Sequence, residues 1–197
     1  GRVCFEHAER VHSVAAATNG RIVTGSLDKT VKVWRGDELV RTIEAHTDWV
    51  MAVAVLPGGA RFVSGSNDNA AKLFTFGGEL ERTFEVGSNV HCVAALPDGV
   101  HFVVGLGAKK EVRLYNVDGT LVHTFKGHTL AVMAVAVTPD GQHIISGSDD
   151  NLVKVWSVAT KSLVSTCVGH SEQVRAVAAM PDGQRFLSGC GDSTVCV

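Results

Sequence analysis

The chain has 197 residues, 45% hydrophobic and 19% charged, with 21 glycines and 4 prolines, length enough for one domain that buries roughly 70% of its unfolded surface. A formal net charge of −2 supplies no field that would draw it to nucleic acid or anionic lipid. No apolar run approaches the roughly 20 residues of a membrane-spanning helix.

The N-terminal GRVCFEHAER has neither a signal-peptide apolar core nor an initiator methionine, so the sequence is expected to come from a longer one. From His7 onward the elements follow in a fixed order. VHSVAAA is a short apolar run that suits a buried strand, TNGR a turn, and RIVTGS a second strand. An Asp-bearing turn leads to a third strand, TVKVW, and the more polar ELVRTI closes the unit. The order then recurs. First strands VMAVAVL, VHCVAAL, VMAVAVT and VRAVAAM run into turns PGGAR, PDGVH, PDGQH and PDGQR, where Pro presets φ and Gly accepts positive φ. Gly25, Gly65, Gly105, Gly147 and Gly189 are spaced by 40, 40, 42 and 42 residues. A large aromatic follows four of them, at Trp34, Phe74, Tyr115 and Trp156, and a histidine opens four units, at His7, His46, His128 and His170. No segment sustains a 3.6-residue period, so helix is expected to be nearly absent.

Four short antiparallel strands per unit of about 40 residues make the blade of a β-propeller. With KGH at 126–128, VGH at 168–170, TPDGQ and SGSDDNLVKVW, the chain resembles the WD-repeat (Trp-Asp) propeller family over essentially its whole length. It departs from the pattern in having no literal Trp-Asp pair, since Trp34 precedes Arg35 and Trp156 precedes Ser157. The fold class expected is therefore all-β, in five blades' worth of sequence. One domain, 1–197, would hold units at about 7–45, 46–87, 88–127, 128–169 and 170–197, with 1–6 as the closing outer strand. RVCFE aligns with RTIEA, RTFEV, HTFKG and STCVG, which puts Cys4 at the position of Ile43, Phe84, Phe125 and Cys167. Two architectures fit: a closed five-blade ring with 1–6 against 193–197, or part of a larger ring of about seven blades, the arrangement we favour. An unclosed ring would leave edges open to self-association.

Serine, histidine and aspartate together suggest a hydrolase triad, but a triad is needed once and this set occurs four times: His7 with Asp28, His46 with Asp68, His128 with Asp150, His170 with Asp192. The resemblance implies a structural role, in which each Asp accepts a hydrogen bond from its His and the His reaches a second-strand Ser and the third-strand Trp. The third unit lacks both partners together, reading VGSNV and LGAKKEV, as expected if either alone would be an unsatisfied buried group. No catalytic residue, cofactor or metal is expected. His12 and His91 lie in non-adjacent units, GLGAKK lacks the ending of a phosphate loop, and NDN and SDDN lack the remaining ligands of a calcium loop. The five cysteines are expected as reduced, buried thiols of an intracellular, cytoplasmic protein, although Cys190 and Cys196 lie across one hairpin.

The function expected is a non-enzymatic scaffold binding a protein or peptide, with no nucleic-acid or membrane partner. A small-ligand or sugar-binding propeller is the alternative. Specificity is placed where the repeated frame varies, at Arg10, Trp49, Asn89, Ala131 and Gln173, and two positions on at His12, Met51, His91, Met133 and Arg175. Trp49 is the sharpest candidate for partner contact. Arg10 and Arg175, brought together if the ends meet, would favour an acidic or phosphorylated peptide, and Lys109 and Lys110 point the same way.

Overall fold

The turns set the strand lengths. The computed structural model describes residues 6–197. In each unit a glycine in the left-handed region, Gly20, Gly59, Gly99, Gly141 or Gly183, ends the first turn with φ between 62° and 77°. Each donates its amide to the carbonyl three residues earlier, as Gly99 does to Leu96 at 3.2 Å. Only a residue without a Cβ takes this conformation at no steric cost, so the chain doubles back after each first strand.

The first blade contains β1 (Val11–Ala16), β2 (Arg21–Ser26), β3 (Val31–Arg35) and β4 (Glu38–Ile43), and the second β5 (Val50–Val55), β6 (Arg61–Ser66), β7 (Ala70–Thr75) and β8 (Leu80–Glu85). The third contains β9 (Val90–Ala95), β10 (His101–Leu106), β11 (Glu111–Asn116) and β12 (Leu121–Lys126), and the fourth β13 (Val132–Val137), β14 (His143–Ser148), β15 (Val153–Ser157) and β16 (Ser162–Cys167). The fifth contains β17 (Val174–Ala179), β18 (Phe186–Cys190) and β19 (Val195–Cys196). Each blade is an antiparallel meander, four-stranded in blades one to four and three-stranded in blade five among the described residues. The closing strand expected from residues 1–6, with Cys4, falls almost wholly on residues 1–5, outside the described residues. No helix occurs among those described. The molecule is a β-propeller of five blades.

Adjacent blades lock through one repeated contact. A Cβ on Gly65 would sit 2.4 Å from Val90 Cγ1 and 3.2 Å from Val93 Cγ1, both on the inner strand of the next blade. Gly25 meets Val50 and Val53, and Gly147 meets Val174 and Val177, in the same way. Glycine is fixed at these positions because the neighbouring valines fill the space a side chain would need. Outside this contact, the last aromatic of one blade packs on the next. Phe84 meets Phe102 and Tyr115 with ring centroids 4.9 and 5.4 Å apart, and Phe125 meets Trp156 at 5.5 Å.

Inner strands pack in the order β1, β5, β9, β13, β17, and β17 does not pack on β1 in that manner. The two faces there are the unmatched halves of the repeated contact. A Cβ on Gly189 would meet only Ala176 of its own blade, at 3.7 Å. Val11 and Val14 are 40% and 64% exposed, where their counterparts Val50 and Val53 are 0% and 6% exposed. The ring of blades thus has a seam between blades five and one.

Candidate functional site

The recurring histidine and aspartate are brought together in four blades. Nδ1 of His7, His46, His128 and His170 lies 2.9, 2.8, 2.9 and 3.2 Å from Oδ2 of Asp28, Asp68, Asp150 and Asp192. Nε2 of each ring lies 2.7 to 2.8 Å from a second-strand hydroxyl: Thr24, Ser64, Ser146 or Ser188. Blade one thus uses threonine where a serine was expected. In blades one and four an indole completes the chain, with Trp34 Nε1 donating to Thr24 at 2.9 Å and Trp156 Nε1 to Ser146 at 2.8 Å.

The carboxylates are also occupied by backbone. Oδ2 of Asp150 accepts the Thr129 amide at 2.8 Å, and Oδ1 accepts that of Leu152 at 3.1 Å. The hydroxyls of Thr24, Ser64, Ser146 and Ser188 are at most 2% exposed. A nucleophile needs an open face towards a substrate, and the hydroxyls of blades one, two and four, at most 1% exposed, have none, whereas Ser188 lines a concavity of about 170 Å³ with His170. The set is a latch that joins the opening loop of a blade to its second turn. In blade three the corresponding positions are Val86, Val104 and Ala108, and both valines are fully buried, so that blade puts apolar side chains at the latch positions and ties its opening loop to the second turn through Ser88 and Asn89 instead.

The latch makes stability depend on pH in one direction. Burial lowers the pKa of His46 and His128, although Asp68 and Asp150 pull the other way, so both rings are neutral in the fold. Burial opposes ionisation of Asp28, but hydrogen bonds from Thr30, His7 and Ala8 outweigh it and hold its pKa at about 2. Asp68 and Asp150 are lowered too, burial being outweighed by their histidines and by the backbone amides. A histidine held neutral contributes stability above its unfolded pKa near 6.5, because below that the unfolded chain takes up the proton first. A carboxylate of lowered pKa contributes stability above about pH 4 and loses it as pH falls through the folded value. Both effects run the same way. The urea midpoint is expected to fall steadily from pH 7 to pH 3, with the decline starting near pH 6.5. A midpoint flat from pH 7 to pH 4 would show that the histidines are not linked to folding, and one flat on to pH 3 would show the same of the carboxylates.

A second feature faces the propeller axis. In every blade the pairing of first and second strands skips one residue, between Val11 and Ser13, Val50 and Ala52, Val90 and Cys92, Val132 and Ala134, and Val174 and Ala176. The skipped residues are His12, Met51, His91, Met133 and Arg175, the variable positions of the sequence. A bulge turns its residue out of the ladder, and all five line one axial concavity of about 270 Å³. Sequence reasoning singled out these positions but had no signal for the bulge that aims them. His91 accepts from Asn89 Nδ2 at 3.0 Å, and Gly107 leaves room for both side chains. Burial lowers the His91 pKa despite the nearby Asp149.

The remaining candidates separate. Trp49 is 47% exposed and walls a rim concavity of about 340 Å³ with Glu9, Arg10, His12, Leu27 and Met51. Trp49 is thus not packed wholly between blades. Arg175 pairs with Asp149 at 3.4 Å and donates to Gln173. The seam lies between its blade and that of Arg10, so the two arginines do not form a spot made by blades packed together. Lys109 and Lys110 are both exposed, Lys109 with its ammonium 2.9 Å from the Val86 carbonyl and Lys110 with φ 59°. Of the four described cysteines only Cys92 is buried, and all four are free thiols. The expectation of uniformly buried thiols is corrected at Cys196, which is exposed because β19 is an outermost described strand.

The family model described as "WD domain, G-beta repeat" matches residues 2–35, 37–75, 119–157 and 161–197. The unmatched stretch holds most of blade three, where the latch is absent. A crystal structure of the WD40 β-propeller domain of Doa1 superposes with a TM-score of 0.87 and 27% identity, over 96% of this chain and 64% of that one. The chain is 31% identical over 122 residues to apoptotic protease-activating factor 1 of Rattus norvegicus, covering 59% of this chain and 10% of that protein. It is 36% identical over 101 residues to WD repeat-containing protein VIP3 of Arabidopsis thaliana, covering 48% of this chain and 31% of that protein. It is 28% identical over 132 residues to nuclear distribution protein PAC1 of Coccidioides posadasii, covering 54% and 28%. The chain thus spans less than a third of the length of each of these relatives.

Proposed function

The chain belongs to the WD domain, G-beta repeat family, generally a family of non-catalytic scaffolds, and from that premise we propose that it is a protein-interaction scaffold whose partner docks on the rim around Trp49. One observation carries this reading. Trp49, half exposed, stands over a concavity of about 340 Å³ with Arg10 and Glu9 beside it. A rigid aromatic next to charged groups is the composition of an interaction hot spot. The latch residues hold the opening loops that carry these side chains, so His7 and His46 act in binding only by fixing backbone. Asn89, Gln173, Arg175 and Lys110 extend the same face. No helix among the described residues is long and apolar enough to cross a membrane, and we place the protein inside the cell without a cofactor.

The test is selection of peptides from a displayed random library on the immobilised chain. Trp49→Ala is expected to weaken the selected peptides about 10- to 100-fold, or about 1.4–2.8 kcal/mol, with an unchanged urea midpoint. Lys161→Ala, on the β15–β16 turn, should bind like wild type. Peptides that bind both variants equally would remove Trp49 from the binding face. The unlike residues around the axis, His12, Met51, His91, Met133 and Arg175, do not form the repeated pockets a sugar-binding propeller would need.

A further inference from the structure

Blade five differs from its neighbours at one atom of the latch. The second strand ends in Ser26, Ser66 and Ser148 in blades one, two and four, and in Cys190 in blade five. The serine hydroxyls donate to the carbonyls of Glu9, Asp48 and Leu130 at 3.1 to 3.3 Å and accept the amides of Asp28, Asp68 and Asp150 at 3.1 Å. Cys190 Sγ keeps both roles, 3.0 Å from the Glu172 carbonyl and 3.4 Å from the Asp192 amide. What the sulfur adds is a soft donor that ionises.

That donor lies in company. One ligand atom each of His170, Cys190 and Asp192 falls within 4.8 Å of the others, the only such trio of His, Cys, Asp or Glu among the described residues. Zinc–ligand bonds of about 2.0–2.3 Å separate the corners of a tetrahedron by roughly 3.5 Å, so the trio closes on an ion with side-chain shifts of about an ångström. The latch is also loosest here, the His170–Asp192 bond being 3.2 Å against 2.8 to 2.9 Å elsewhere. In blades one and four, donation by the indole leaves the hydroxyl proton for Nε2, which places the ring proton on Nδ1, towards the aspartate. Where no indole donates to the hydroxyl, as at Ser64 beside Phe74, its oxygen can accept Nε2–H. The same tautomer at His170, whose Nε2 lies 2.8 Å from Ser188 Oγ, leaves the Nδ1 lone pair for an ion. Outside the trio, the Glu172 carboxylate lies over Gly191, between Cys190 and Asp192, where a Cβ would be 2.8 Å from Oε2.

We propose that His170 Nδ1, Cys190 Sγ and the Asp192 carboxylate form a binding site for a divalent metal ion of borderline softness, with zinc as the best match. On binding, the Cys190 thiol releases its proton to solvent and a metal–sulfur bond forms. The ring proton of His170 is carried on Nε2 and donated to Ser188. One thiolate and one carboxylate balance the charge of the ion, and water or Glu172 takes the fourth position. The ion replaces the stretched His–Asp bond and staples the opening loop of blade five to its second turn. Binding strengthens as pH rises, because the sulfur must be deprotonated.

The experiment is titration of the whole chain with cobalt(II), whose thiolate charge-transfer absorption reports a sulfur ligand, followed by displacement with zinc. One saturable equivalent with a thiolate band is expected, and zinc should abolish the band. Cys190→Ser installs the residue of blades one, two and four, so it keeps the fold. It should lose the band and weaken binding about 100-fold or more, since even outer-shell changes cost 10- to 100-fold. Cys196→Ser should retain both. A wild-type complex without the band, or a band that survives Cys190→Ser, overturns the assignment.

Discussion

Replacing His46 with alanine is expected to lower the unfolding free energy by about 3 kcal/mol, near the upper end of ordinary point-mutation effects. The ring is fully buried against Asp68, itself 8% exposed in its side chain. Its loss leaves the Ser64 hydroxyl without its 2.8 Å partner and leaves the buried Asp68 charge with the Thr47 and Ala70 amides alone. An unpaired buried charge costs more than the bond it once made. Blade three supplies the control within the same chain. The triple variant His46→Val, Ser64→Val, Asp68→Ala copies Val86, Val104 and Ala108, and is expected to cost only about 1 kcal/mol, because no buried side-chain polar group is left without a partner and only the Thr47 and Ala70 amides lose an acceptor. Blade two suits this test because its third strand carries Phe74, which has no N–H to orphan. Urea unfolding of the three proteins measures both quantities. A triple variant weaker than the single one would mean that the latch stabilises by its bonds rather than by avoiding unsatisfied groups.

That comparison explains how much could be read from sequence. The latch was legible because His, Ser or Thr, and Asp recur at fixed spacing, and because unit three loses the set together. The blades were legible for the same reason, since apolar runs and Pro-Asp-Gly turns repeat with glycines 40 to 42 residues apart. The proposed binding face was legible only as variation between units, as at Trp49 and Arg175. What Arg175 does depends on Asp149, a turn residue of the preceding blade 3.4 Å away, and no local pattern pairs positions 26 residues apart. The fold-back of Lys109 onto the Val86 carbonyl likewise follows from the missing histidine beneath it. Cys190 was weighed as a partner for Cys196, whereas its neighbours in space are His170 and Asp192. The hairpin was visible in the sequence; the loop that crosses it was not.

The seam yields the other large effect. Gly65→Ala is expected to cost about 2 kcal/mol, because its Cβ would lie 2.4 Å from Val90 Cγ1 and 3.0 Å from Val90 Cβ, and overpacking of a filled core costs about 1–3 kcal/mol. Gly189→Ala changes the same repeat position, but its Cβ meets only Ala176 at an ordinary 3.7 Å. It is expected to be neutral or stabilising by a few tenths of a kcal/mol, the gain of replacing glycine at a compatible backbone. The pair therefore measures whether Val11 and Val14 reach Gly189 in solution. If Gly189→Ala is harmless and the chain runs as a single species of 20.8 kDa by light scattering, the seam stays open in a monomer and both faces are free. If it is as costly as Gly65→Ala, a valine pair fills the cradle. The solution mass then says whose: a monomer closes on its own blade one, and a larger species borrows the valines of a second copy.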